Sequence, residues 1–152
     1  MASLIRRLMR SDARGSELIE LALTLPILLF ILAGIVDFGL LFQRYEVVTN
    51  AAREGARVAV LPNYTAADAQ ARVQSYLTAS GLTAPAAAPT VVYSTEALTG
   101  GRSIRLVTVS VTYPNEFLYI GPFAALVGGS GYGTVHLRAA SSMRLEASAG
   151  GS

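Results

Sequence analysis

The sequence predicts an α+β chain in which one long N-terminal helix packs on a small domain of one short helix and about three antiparallel strands. Three observations predict it. Residues 21–36 carry no charge, and the apolar run resumes after Asp37 as Phe38, Gly39, Leu40, Leu41 and Phe42. Apolar positions then recur at helical spacing as far as residue 61. From Thr90 onward the spacing changes to the alternation of half-buried strands, with turn-forming residues between the runs.

Residues 16–61 read as a single helix whose first half is built for lipid. Residues 18–42 would rise by roughly 37 Å as a helix, enough to cross a hydrocarbon core of about 30 Å with some tilt. The core helix of a soluble domain is seldom apolar on every face for so long. Arg6, Arg7, Arg10 and Arg14 precede the run against a single Asp12, whereas Arg44 and Glu46 balance just after it. By the positive-inside rule residues 1–15 form a cytoplasmic basic leader, and the chain beyond Phe42 is exported. A removable signal would have an apolar region of only about 7 to 15 residues and a small-residue cleavage pattern. Here Leu40, Leu41, Phe42, Gln43 and Arg44 follow instead, so the segment is expected to stay attached as an anchor. The remaining residues, 62–152, suffice for one small domain. With 52% hydrophobic and 14% charged residues the chain is far from a disordered composition, and without cysteine it relies on its core or its neighbours rather than on disulfides.

In chain order, Leu4, Ile5, Leu8 and Met9 give the leader a weakly amphipathic turn or two. Glu17 and Glu20 suit the positive end of a helix. Glu20 nevertheless lies between Ile19 and Leu21, where an acid seeks a cationic partner. Pro26 removes one hydrogen bond, frees the Ala22 carbonyl and favours a kink, which membrane neighbours can tolerate by re-satisfying the backbone. Asp37 is expected near the outer interface, as an anchor or as a partner for Arg44 of a neighbour. Val47, Val48, Ala51, Ala52, Gly55, Val58 and Ala59 share one face, small enough for a sheet to approach closely, while Glu46, Asn50, Arg53, Glu54 and Arg57 share the other. Glu54 and Arg57 are spaced for an i,i+3 ion pair on a solvated face. Pro62 and Asn63 end the helix.

Thr65 and Asp68 have the spacing of a capping box for a second helix, which runs to about Ser80 with Val73, Tyr76 and Leu77 inward and Gly81 as its stop. Residues 83–89, rich in alanine and proline, form a linker. Strands are expected at 90–94, 103–113 and 134–146. The middle one changes parity between Leu106 and Val107, which predicts a bulge. The apolar run 117–127 is too short to span lipid and is broken by Gly121 and Pro122; it reads either as a core loop or as an exposed subunit contact. Residues 128–133 read as a glycine-rich hairpin connection.

No enzyme is expected. One histidine, His136, lies on the polar face of a strand, and the chain has no cysteine. Cysteine nucleophiles and most zinc sets are thereby excluded. Residues 128–133 fit neither G-x-S-x-G nor a phosphate-binding loop, because Tyr132 stands where the first needs its second glycine and no lysine follows. No catalytic residues, metal, cofactor or small-molecule substrate are therefore expected. A net charge of +2 with no basic, aromatic-interleaved stripe argues against nucleic acid.

The order Gly15, Ser16, Glu17, Leu18, Ile19, Glu20 before an apolar helix resembles the processing region of type IV pilin-like proteins. With Leu21-Ala22-Leu23-Thr24-Leu25-Pro26, then Asp37-Phe38-Gly39, then Asn50-Ala51-Ala52-Arg53-Glu54-Gly55-Ala56-Arg57, it resembles the TadE-like pseudopilins of the tight-adherence (Flp) pilus system. The resemblance implies a type IV pilin-like fold and cleavage by a prepilin peptidase between Gly15 and Ser16. Cleavage would expose an amine of reference pKa about 7.7 to 8.0, mostly protonated at neutral pH. Glu20, fifth residue of the mature chain, would pair with that amine on a neighbouring subunit and fix the register, with Pro26, Asp37, Arg53, Glu54 and Arg57 serving assembly. Serine at the mature start points to a minor pilin or pseudopilin rather than the main filament subunit. The implied partners are the membrane, other pilins and pseudopilins, the peptidase and the pilus assembly platform. The implied location is a bacterial inner membrane, crossed once, with the filament as a further one. An unprocessed anchor subunit of another envelope or secretion complex, and an anchored binding module using residues 117–127, are the other readings of the same residues.

Overall fold

The computed structural model describes residues 2–83, 87–98, 102–126 and 134–145. Its architecture is α+β and pilin-like, with a long N-terminal helix, a capped short helix, a further helical segment and a three-stranded antiparallel sheet. Packing divides the chain into two units: Met1–Gly39 with Phe117–Tyr132, and Leu40–Glu116 with Gly133–Ser152. Helix α1, Ala2–Ala59, contributes residues to both.

In the first unit α1 is helical from Ala2, so the leader forms more than the turn or two expected of it. Pro26 lies inside the helix without ending it. From Leu18, 67% exposed, through Val36 the large apolar side chains are open to the surroundings rather than packed into a core. The 117–127 run supplies an element that its composition did not announce, helix α3, Ile120–Leu126. Ile120 is buried, whereas Leu118 is 57% and Tyr119 48% exposed. The expected hairpin connection at 128–133 lies outside the described residues, as do linker residues 84–86 and Glu146.

The second unit is built around the small-residue stripe. Val48, Ala51, Ala52, Ala56 and Ala59 of α1 join Ala69, Val73 and Leu77 of helix α2, Ala66–Ala79, in one buried cluster with sheet residues Val107, Val109 and Val111. Val47 and Val58, expected in the stripe, pack at its margin. A Cβ at Gly55 would collide with Val73 Cγ2 and come within 3.2 Å of Val109 Cγ1, so the bare glycine is what lets α2 and the sheet close on α1. The helix ends at Ala59, slightly before the expected limit, and Asn63 takes a left-handed turn at φ 68°.

Helix α2 has the predicted start. The Thr65 hydroxyl accepts from the Asp68 backbone N–H at 3.3 Å, and Asp68 Oδ2 accepts from the Thr65 backbone N–H at 2.8 Å. Its stop is a Schellman arrangement: Gly81 at φ 79°, the Gly81 N–H donating to the Thr78 carbonyl and the Leu82 N–H to the Leu77 carbonyl. Val73 and Leu77 are buried as expected, and Tyr76 is half-buried.

The sheet order is β1-β2-β3, with β1 Thr90–Ala97, β2 Ser103–Asn115 and β3 Val135–Leu145. Strand β1 outruns its apolar residues, because Thr95, Glu96 and Ala97 complete the ladder with Arg105, Ile104 and Ser103. The expected bulge is absent. Register is unbroken on both sides of β2, from Thr90↔Ser110 to Ala97↔Ser103 and from Arg105↔Leu145 to Asn115↔Val135. The parity change has a simpler cause: Val107, Val109, Val111 and Tyr113 face the core, while Ile104 and Leu106 are half-buried on the opposite face.

Candidate assembly and processing site

The predicted site residues do not converge on one point; they are distributed along α1. Gly15 and Ser16 sit inside continuous helix, with open space where a Gly15 Cβ would stand. Glu20 is exposed in the single chain. One turn later the Thr24 hydroxyl donates to the Glu20 carbonyl at 2.9 Å and lies 3.3 Å from the Leu21 carbonyl. That bond engages the backbone one turn ahead of Pro26, whose ring nitrogen cannot donate to the Ala22 carbonyl.

Asp37 is 3% exposed, and its carboxylate is fully engaged within the chain. Oδ1 accepts from the Leu118 N–H at 3.1 Å; Oδ2 accepts from the N–H groups of Tyr119 at 2.9 Å and Ile120 at 2.6 Å. These amides open helix α3 and have no acceptor in the preceding turn, so Asp37 performs across the chain what an N-cap residue does locally. Phe38 meets Phe117 edge to face, ring centroids 6.1 Å apart. Arg44, the partner expected for Asp37 of a neighbour, instead donates to Asn115 Oδ1 at 2.6 Å.

Farther along, Arg53 Nη1 donates to Asn50 Oδ1 at 3.2 Å, one turn back on the exposed face. The expected Glu54–Arg57 pair is replaced: Glu54 Oε2 bonds Arg72 Nη2 of α2 at 3.2 Å, and Arg57 stays exposed in the last turn. The reason is geometric, since α2 packs beside α1 and brings a second cation within reach of Glu54. Solvent exposure of both side chains keeps this pair weak, within about 1 kcal/mol.

Two participants were missed from the sequence. Asn115, 2% exposed, continues the inward parity of Val107, Val109, Val111 and Tyr113, and that parity was a usable signal for it. The amides of 118–120 carried no signal, because backbone donors are identical in every residue but proline. Chemically the arrangement holds segments in place and leaves an apolar helix face for lipid or other helices; among the described residues no group of three His, Asp or Glu side chains could hold a metal ion.

One helix in the described residues is long and apolar enough to cross a membrane. Comparison with curated proteins and with solved structures gives no match. Residues 15–57 match the family model described as TadE-like protein, and the stretch from the Gly15–Ser16 bond to Arg57 therefore carries the TadE-like signature.

Proposed function

We propose that this chain is a non-enzymatic minor pilin or pseudopilin that contributes to assembly of a tight-adherence (Flp) type IV pilus, used in adhesion and biofilm formation. The TadE-like match over residues 15–57 carries this reading. The exposed apolar side chains of 18–36 support it, because a helix of that kind needs lipid before assembly and other helices after it. In this reading α1 crosses the inner membrane once, its basic leader is cytoplasmic, and the sheet-bearing unit is exported.

Prepilin peptidase removes residues 1–15, and the new Ser16 amine pairs with Glu20 of an adjacent subunit. A neighbour at any other stagger leaves a charge unpaired in an apolar surrounding, which is how one ion pair selects a register. Pro26, Asp37, Arg53, Glu54 and Arg57 serve assembly less directly, by shaping the helix and holding the segments against it.

One observation favours the unprocessed anchor of another envelope complex: α1 runs through the Gly15–Ser16 bond as regular helix, and a bond in a helix must unwind to enter a peptidase. Intact mass of the protein recovered from membranes separates the two. A chain beginning at Ser16 is the expected result; one beginning at Met1 or Ala2 in cells with an active prepilin peptidase overturns processing. Detection in sheared filaments as well as membranes is expected of a pilus subunit.

A further inference from the structure

We propose that residues 117–126 are a second membrane contact: a re-entrant segment that lies against α1 and inserts Leu118, Tyr119 and Pro122 into the leaflet beside the C-terminal end of the apolar run. The inference rests on α1 crossing a membrane and goes beyond the pilus reading.

The sequence supplies the first ground. Nothing from Phe117 to Leu126 is charged, and an apolar run of this length is too short to span but suits an interfacial or re-entrant element. Phe117 and Tyr119 bring the aromatic rings that favour the headgroup boundary.

Position supplies the second ground. Leu118, Tyr119 and Pro122 face Leu29, Leu32, Ala33 and Val36 of α1 across an apolar groove of about 540 Å³. Those α1 residues belong to the stretch already exposed to lipid, so the groove continues an apolar surface that needs lipid in any case. Leu118 and Tyr119 are half exposed there, and acyl chains are the occupant of matching chemistry.

Asp37 supplies the third. Water would satisfy the first amides of a short surface helix at little cost, but lipid satisfies none of them. Here the amides of Leu118, Tyr119 and Ile120 all end on the buried Asp37 carboxylate. The donors and the acid thus lower each other's desolvation cost, and the segment can enter an apolar medium with these three amides already satisfied.

The chain has no tryptophan, so a single one reports without background. Full-length L118W and, as a reporter of the helix, I27W are reconstituted into phosphatidylcholine vesicles at low protein-to-lipid ratio. The quencher is phosphatidylcholine brominated about 5 to 10 Å below the headgroup boundary, the depth reached by interfacial apolar faces. We expect the emission of both fluorophores to fall roughly twofold or more, with L118W losing this depth-dependent quenching when D37A is added and I27W keeping it.

Quenching of I27W without quenching of L118W overturns the re-entrant segment while leaving the membrane helix intact. No quenching of either overturns both. A blue-shifted, unquenched L118W whose shift disappears on dilution in lipid assigns the groove to a second copy and overturns the lipid reading. Y119W is the second reporter should L118W fail to reconstitute, and the same outcomes apply to it.

Discussion

Single residues in this chain act mainly through hydrogen bonds to backbone, and Asp68 shows the consequence most directly. The Thr65 hydroxyl donates to its Oδ2 at 2.7 Å, and with the Thr65 backbone N–H this holds its carboxyl below the ordinary value of 3.8. A depressed folded-state value means that the unfolded chain binds more protons as pH falls through the carboxylate range. The contribution is therefore present above the unfolded value and lost as pH drops through the folded one. Thermal unfolding of D68N against the parent chain should show a gap at neutral pH that closes on acidification below about 4. A gap independent of pH would remove the ionised cap from the account. This cap was legible in the sequence because its partners are three residues apart. Asp37 was legible only as an oddity: its charge could be seen, but its three donors lie more than eighty positions away in sequence, at distances that spacing cannot encode.

Elements pack here by being thin. The alanines of α1 and the bare Cα of Gly55 admit Val73 from α2 and Val109 from β2 into one cluster. Replacing Gly55 by alanine gains about 1 kcal/mol of helix propensity but forces the β-branched Val73 from its place, a cost of about 1 to 3 kcal/mol. Because the methyl group would overlap Val73 directly, the cost lies toward the upper end of that range, and G55A is expected to destabilise by up to roughly 2 kcal/mol net in denaturant unfolding of the detergent-solubilised chain. An unchanged or raised midpoint would mean that the contact relaxes freely. The stripe itself was readable from its 3.6-residue period, including the approach of a sheet. Which cation Glu54 meets was not, since Arg57 is near in sequence but Arg72 is brought near by packing. The bulge failed for a related reason: a change of parity in an apolar pattern is also produced by a strand with residues half-buried on both faces, and only the ladder tells the two apart.

At the scale of the whole molecule the large apolar side chains of 18–36 are exposed in the single chain, and the proposed function gives them lipid or other helices as partners. E20A tests the proposed register pair at this scale. It should accumulate in membranes normally, yet its share in sheared filaments should fall roughly tenfold if the pair is worth about 1.4 kcal/mol per contact. Wild-type incorporation would sink the register role without touching the anchor. By itself the sequence determined the long helix, its lipid-like and amphipathic halves, the capped second helix, the three strands and the TadE-like signature, because each is written in local periods, caps and ordered motifs. Tertiary structure alone decided that residues 120–126 form a short helix whose entry is tied to Asp37, that Arg44 bonds Asn115, and that Glu54 turns to Arg72. Those are meetings between residues distant in the chain, and hydrogen bonds and close packing choose such partners by geometry in space, which no local pattern of side chains specifies.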